Sequence, residues 1–348
     1  MNRTDDTGAA RAAMVRMIYA YMGSQIIRTA VELRVPDFLR DKTRDVGEIT
    51  EATGAHPHAV HRLLRALVTL DLLTEPEPGR FALAPLGDFL TGDGDHSLRM
   101  ITRLFTGSEF WDSWRHLTHS IETGRAAFDK VHGQSFYEYL GASPEYAELF
   151  SAAMAENARF EAPRIATAHD FGRYRTIVDV GGGDGSLLAG ILAENPHVRG
   201  VVLETPRVAE QARALLDDLG LGWRCEVVEG DFFEGVPPGA DAYVLKSVVH
   251  NWDEESCARI LRNCRSAMGE GGHLLLVEPV LPERTDPRAE MALESALSDL
   301  NMLVLTAGGF ERSQGDFTAI LEASGFRLAE VSDRVEGTDF RVIRAEPV

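Results

Sequence analysis

The sequence predicts an α/β protein: a Rossmann-like, doubly wound and mostly parallel sheet, preceded by a mostly helical N-terminal region with a winged-helix pattern. Three observations predict it. The stretch Arg175-Thr-Ile-Val-Asp-Val-Gly-Gly-Gly-Asp-Gly185 joins a β-branched run to a helix beginning at Ser186 through a glycine-rich turn. From residue 176 onward strand-like and helix-like stretches alternate, which implies parallel strands joined by right-handed crossovers. Residues 46–83 read as helix, helix and two-stranded wing.

Length and composition are those of an ordinary globular protein. The chain has 348 residues, enough for two domains with their own cores, and its hydrophobic and charged contents are 44% and 26%. Lys+Arg 35 against Asp+Glu 54 gives 35 − 54 = −19. That charge disfavours nucleic acid and anionic membranes as partners, because both are recognised through cationic surfaces. Cys225, Cys257 and Cys264 form no C-x-x-C pair, so neither a disulfide framework nor a zinc knuckle is expected. No signal-like apolar stretch opens the chain and no apolar run approaches about 18 residues. A cytoplasmic, reduced protein is expected.

Three segments are expected: 1–95, 96–170 and 171–348. Residues 1–8 are polar and expected to be disordered. A helix follows over 9–33, with Met14, Ile18, Met22, Ile26, Ala30 and Leu33 recurring at helical spacing. Short helices are expected at 35–39 and 46–54, then one at 57–70 with Val60, Leu63, Leu64 and Leu67 on its buried stripe. The wing spans 72–83. This pattern often binds DNA, but Arg62 and Arg65 make no basic stripe, so a dimerisation role is preferred. His56, His58 and His61 do not share one helix face and no Cys or carboxylate completes a set, so they read as surface histidines rather than metal ligands. Residues 97–170 read as helical throughout and carry the densest aromatic group. Phe105, Trp111 and Met154 are taken from it as candidates to line a flat substrate's pocket. Strands are expected at 176–180, 199–204, 224–229, 241–246 and 272–278, with a closing pair at 326–332 and 339–345. Helices are expected near 185–195, 206–219, 254–268, 288–305 and 314–324.

The chemistry-bearing residues gather at expected strand ends. Glycines at 181, 183 and 185 let backbone approach a ligand closely, and Asp179 completes D-x-G-x-G-x-G. Glu204 ends the second strand, about 20 residues on, where a carboxylate can accept from ribose hydroxyls. In Gly230-Asp-Phe-Phe233, Asp231 can accept from an exocyclic amine while Phe232 packs on the ring. His250 follows the fourth strand, and Glu278 and Glu311 lie at the end of the fifth and in a Gly-rich loop. A His flanked by carboxylates is a general base whose orientation and basicity its partners set.

The ordered set V-D-V-G-G-G-D-G, L-E-T-P, G-D-F-F, L-K-S-V-V-H-N-W-D-E, V-E-P and G-G-F-E-R-S resembles the plant-type, S-adenosylmethionine (SAM)-dependent O-methyltransferases, above all bacterial members that decorate aromatic metabolites. The resemblance spans essentially the whole chain. It implies a class I methyltransferase domain and an N-terminal winged-helix dimerisation domain, hence a homodimer. It implies that His250 deprotonates a substrate hydroxyl, with Glu278 and Glu311 flanking it as the rest of the catalytic set. Asp179, Gly181, Gly183, Glu204, Asp231, Phe232, Lys246, Ser247 and Trp252 would hold SAM. Asn251, which stands where many relatives have Asp, together with Asn301 and Met302, joins the aromatic candidates as substrate-lining. No metal is expected, since SAM's sulfonium needs positioning more than activation and a phenol of pKa near 10 is served by a His base. Two alternatives stay open: a family member performing hydroxylation, decarboxylation or cyclisation, against which the intact His250 argues, and a winged-helix regulator sensing SAM.

Overall fold

The computed structural model describes residues 3–92, 94 and 96–348. The chain divides into two compact units, Met1–Trp111 and Asp112–Val348.

The first unit opens with the helix Arg3–Glu32. Residues 3–8, expected to be disordered, belong to it: the Ala-rich stretch at 9–13 favours helix and no Pro interrupts. Residues 1 and 2 lie outside the described residues. The expected apolar stripe changes character along this helix, for Met14, Ile18 and Met22 are exposed while Ala30 is fully buried. Helices Val35–Leu39, Val46–Thr53 and Pro57–Thr69 follow. Asp45 and Glu48 form a reciprocal cap at the start of the second, and Gly54 ends it at φ 64°, a conformation glycine adopts without strain. Strands β1 (Arg44–Asp45), β2 (Leu73–Glu77) and β3 (Arg80–Leu83) pair in the order β1-β3-β2. The two-residue β1 is too short to leave a periodic signal. Val60, Leu64 and Leu67 are buried with Ile49 and Phe81, and Leu63 packs at the edge of that core. His56 and His58 are exposed, and His61 packs 6.2 Å from the Phe81 ring.

The second unit begins with helices ending in Pro144–Ala168, and then alternates. Strands β4 (Thr176–Val180), β5 (Arg199–Glu204), β6 (Cys225–Glu229), β7 (Ala242–Lys246) and β8 (His273–Leu281) are parallel neighbours in the order β6-β5-β4-β7-β8. The strand β9 (Arg312–Ser313) pairs with the end of β8, and β10 (Phe326–Val331) and β11 (Phe340–Pro347) close the sheet antiparallel. Alternation along β4 divides its side chains between the two faces: Ile177 joins one core cluster, Val178 and Val180 the other. Strand order reverses beside β4, and ligands of open α/β sheets bind outside the carboxyl ends at such a switch point. Among the described residues no helix is long and apolar enough to cross a membrane.

Candidate active site

The carboxyl ends of β4 to β8 assemble the site. After β4 the backbone turns through Gly181, Gly183 and Gly185 at φ 71°, 59° and 81° before the helix Ser186–Glu194 starts. A Cβ on Gly182 would lie 2.7 Å from the Asp179 carboxyl carbon, so the turn tolerates no side chain there. Asp179 is buried beneath it, and neither carboxylate oxygen has a hydrogen-bond partner among the described residues. Burial pushes its pKa to about 7, against the opposing pull of Lys246.

Because ionised Asp179 is disfavoured only in the folded state, it removes stability progressively as pH rises from its unfolded value through about 7. Asp179→Asn is therefore expected to flatten the unliganded protein's thermal stability between pH 4 and 7 and to raise its Tm at pH 8. Melting curves across pH check this, and an unchanged slope would contradict it.

Glu204, at the end of β5, accepts from the Thr205 N–H at 2.6 Å and the Thr205 hydroxyl at 3.1 Å through Oε2. Asp231 accepts from the Phe233 N–H at 2.8 Å. Phe233 meets Trp252 edge-on at 4.8 Å, with Phe232 at 6.3 Å, and Tyr137 stacks on Trp252 at 5.1 Å and 13°. The glycine turn, the Glu204 carboxylate at the end of β5, and an aromatic wall beside the Asp231 carboxylate fit an adenosyl group. Lys246 ends β7 and pairs with Glu161 of helix Pro144–Ala168 at 2.7 Å, both largely buried, which presents adjacent opposite charges.

Beyond β7 the chain bends at Ser247, whose φ of 55° is unusual for a non-glycine residue, into a single turn, Val249–Asn251, that carries His250. Its Nδ1 lies 3.0 Å from Glu311 Oε1 and 3.7 Å from Glu278 Oε2. Both carboxylates are buried. Glu278 Oε1 accepts from the N–H groups of Val248 and Val249 at 2.9 Å each, so one side chain grips the turn and faces its histidine. Glu311 Oε1 also accepts from the Ser298 hydroxyl at 2.7 Å, and the Glu311 N–H donates to Asp299 at 3.0 Å. Burial alone would lower the His250 pKa, but the Glu278 charge and the Glu311 hydrogen bond outweigh it and raise it to about 9. Burial raises Glu278 to about 7 despite His250.

The loop at 307–311 packs tightly on the turn. A Cβ on Gly309 would fall 2.5 Å from the His250 carbonyl oxygen, which is why Gly permits this approach. The Asn251 amide donates to the carbonyls of Ser247 at 2.9 Å and Val248 at 3.3 Å. Asn301 is buried and accepts from the Trp114 indole at 3.0 Å, and Met302 is buried beside it in helix Ala292–Leu305. Met154 is half-buried on helix Pro144–Ala168. Phe105 and Trp111 belong to the first unit, where Phe105 packs 4.7 Å from Phe110 and Trp111 lies 6.4 Å from Tyr21. Sequence reasoning missed Glu161, Tyr137, Ser298 and Arg312. Only Arg312 had a signal, its place in G-G-F-E-R-S; the others come from helices whose docking no local pattern encodes.

With this geometry in view, residues 114–327 match the O-methyltransferase domain and residues 15–93 the O-methyltransferase dimerisation domain. The chain belongs to the O-methyltransferase family. It is 41% identical to the O-demethylpuromycin-O-methyltransferase of Streptomyces alboniger over 97% of this chain and 90% of that one. The solved mitomycin 7-O-methyltransferase superposes with a TM-score of 0.90 at 38% identity, covering 99% of this chain and 100% of that one. An O-methyltransferase from neocarzinostatin biosynthesis, solved with SAM and 2-hydroxy-5-methyl naphthoic acid, gives a TM-score of 0.79 at 32% identity over 94% of this chain and 96% of that one. The expectations of family, of a class I methyltransferase fold with an N-terminal dimerisation domain, and of a SAM-dependent O-methyltransferase are borne out.

Proposed function

We propose that this chain methylates a phenolic hydroxyl of an aromatic secondary metabolite, with His250 as the general base. The observation that carries the proposal is the imidazole whose Nδ1 faces two buried carboxylates at 3.0 and 3.7 Å, leaving Nε2 as the nitrogen to take a substrate proton. Bound SAM supplies an electrophilic methyl group. Asp179, the glycine turn, Glu204, Asp231, Phe232, Lys246, Ser247 and Trp252 hold it in this proposal. His250 would remove the hydroxyl proton as the oxygen–methyl bond forms and the methyl–sulfur bond breaks, with neutral S-adenosylhomocysteine as the leaving group, and Glu311 and Glu278 would compensate the imidazolium. Asn301, Met302, Met154 and Asn251 are the proposed substrate-lining residues. Asn251 already donates to two backbone carbonyls, so its free contribution there is the amide oxygen. The exposed apolar half of helix Arg3–Glu32 within the dimerisation domain supports a homodimer. The net charge of −19 and the lack of a membrane-crossing helix among the described residues support a cytoplasmic enzyme that binds neither nucleic acid nor membrane.

A second reading has a specific observation behind it. The aclacinomycin 10-hydroxylase of Streptomyces purpurascens is 34% identical over 90% of this chain and 83% of that one. The fold therefore does not by itself decide between methyl transfer and hydroxylation, whereas the His250 arrangement favours the former. His250, Glu278 and Glu311 also have ligand atoms within 4.8 Å of one another, the spacing of a metal trio. The Oε1 atoms of both carboxylates are already engaged by protein donors, which supports the base reading instead. The test is calorimetric titration of SAM followed by a screen of phenols, naphthols and hydroxyquinones by mass spectrometry, with and without EDTA. SAM binding and a mass gain of one methyl group that survives EDTA are expected. A gain of one oxygen would establish the second reading, EDTA-sensitive turnover would establish the metal, and absent SAM binding would overturn both readings.

A further inference from the structure

The structure assigns Arg312 a role in the reaction: we infer that it is a positioning residue, holding the backbone turn that carries His250 while its neighbour Glu311 holds the imidazole. Arg312 is among the largest fully buried side chains, 1% exposed, and forms no ion pair among the described residues. Burying a cation without a carboxylate partner is unfavourable, and an apolar side chain of similar size would pack at lower cost. Its bonds identify what the charge does there. One guanidinium nitrogen donates to the Val249 carbonyl at 2.8 Å and the other to the Trp252 carbonyl at 2.9 Å, the residues before and after His250-Asn251. The guanidinium lies 4.1 Å over the Phe310 ring, which fixes its plane.

Three other groups hold the same turn. Glu278 takes the N–H groups of Val248 and Val249, the Asn251 amide donates to Ser247 and Val248, and the Cys257 thiol donates to Val249 at 3.1 Å. Such bracing is what the left-handed Ser247 requires, since a non-glycine residue at φ 55° stays there only when its surroundings over-determine it. Glu311 and Arg312 are consecutive, so the path leading into β9 fixes both the imidazole and the backbone beneath it. A relaxed turn would let His250 move off Glu311, and a displacement of about 1 Å is enough to lower a rate roughly 100-fold.

This inference rests on His250 being the base, and its test separates the two. Arg312→Met removes both bonds; Arg312→Lys keeps the charge but lacks the planar fork. The readouts are kcat and KM across pH, the melting temperature, and the His250 ring nitrogens by NMR of protein with ¹⁵N-labelled histidine. In Arg312→Met, kcat is expected to fall about 10- to 100-fold while KM for SAM stays within about twofold, with Arg312→Lys between it and the wild type. The His250 titration should move down as its contact with Glu311 loosens, while Glu278, Lys246 and Asp339, which also act on it, are unchanged. A wild-type kcat and His250 titration in folded Arg312→Met would overturn the inference, and so would a lower melting temperature with unaltered turnover per folded molecule. If Arg312→Met does not fold, Arg312→Lys decides: lowered kcat at constant KM for SAM supports the role and wild-type kcat overturns it. The NMR readout needs no turnover, so a protein that methylates no phenol would refute the proposed function while leaving the positioning test intact.

Discussion

Replacing His250 by Ala is expected to lower kcat for a phenolic acceptor about 10²- to 10⁴-fold, the range a positioned general base contributes. SAM affinity should change by no more than about twofold, because the His250 side chain is not among the proposed cofactor contacts and its replacement keeps the backbone that carries Ser247 and Trp252. The pH dependence separates a base from a merely space-filling histidine. A base works in its neutral form, and Glu278 and Glu311, prevailing over burial, hold the His250 pKa near 9. The wild-type rate should therefore climb from pH 7 towards pH 9 and then level. Glu311→Gln, which removes one of the stabilising carboxylates, should move that rise to lower pH. In His250→Ala the rise should follow instead the ionisation of the free phenol, near 10. Single-turnover rates across pH check each statement, and a pH profile unaffected by His250→Ala would remove it from the base role.

How much of this was legible in the sequence follows from where the information lies. The strands β4 to β8 were readable within a few residues because each contains a short apolar run followed by a polar or glycine residue that is a site candidate, as in Val201-Val-Leu-Glu204 and Tyr243-Val-Leu-Lys246. His250 was readable from its place beyond a strand end and Glu311 from a glycine loop; Glu278, expected at the end of its strand, lies inside β8, which runs on to Leu281. The order of the sheet was not, since nothing local tells β7 to pair with β4 rather than with β6. Nor was the start of helix Arg3–Glu32, where polar residues and Gly8 hid a helix that no proline interrupts. Residues that act across long sequence distances were the hardest: Glu161 meets Lys246, and Ser298 meets Glu311, from helices that look ordinary in isolation.

In the proposed mechanism Glu278 joins stability to catalysis, and two substitutions are expected to separate them. Glu278→Ala orphans the N–H groups of Val248 and Val249, both buried, which lose a shared carboxylate acceptor. Leaving such donors unsatisfied costs about 1–3 kcal/mol each, and opening a cavity adds to it, so a loss of several kcal/mol is expected. Glu278→Gln retains an amide oxygen in the same place and should keep most of the fold. Its effect should fall on the base: without the buried charge, the His250 pKa drops, and the rise of rate with pH shifts to lower pH with a reduced plateau. The stability change has its own sign. In the wild type, His250 is raised above its ordinary value, so its protonation stabilises the fold fully below about 6.5, and that stability is lost as pH rises towards 9. Glu278 is raised to about 7, so its ionisation likewise removes stability between its unfolded value and 7. Both slopes should weaken in Glu278→Gln, and chemical denaturation at pH 5, 7 and 9 reads them directly. Equal stability of the Ala and Gln variants would mean that the two N–H groups find other acceptors, and that Glu278 acts on His250 by charge alone.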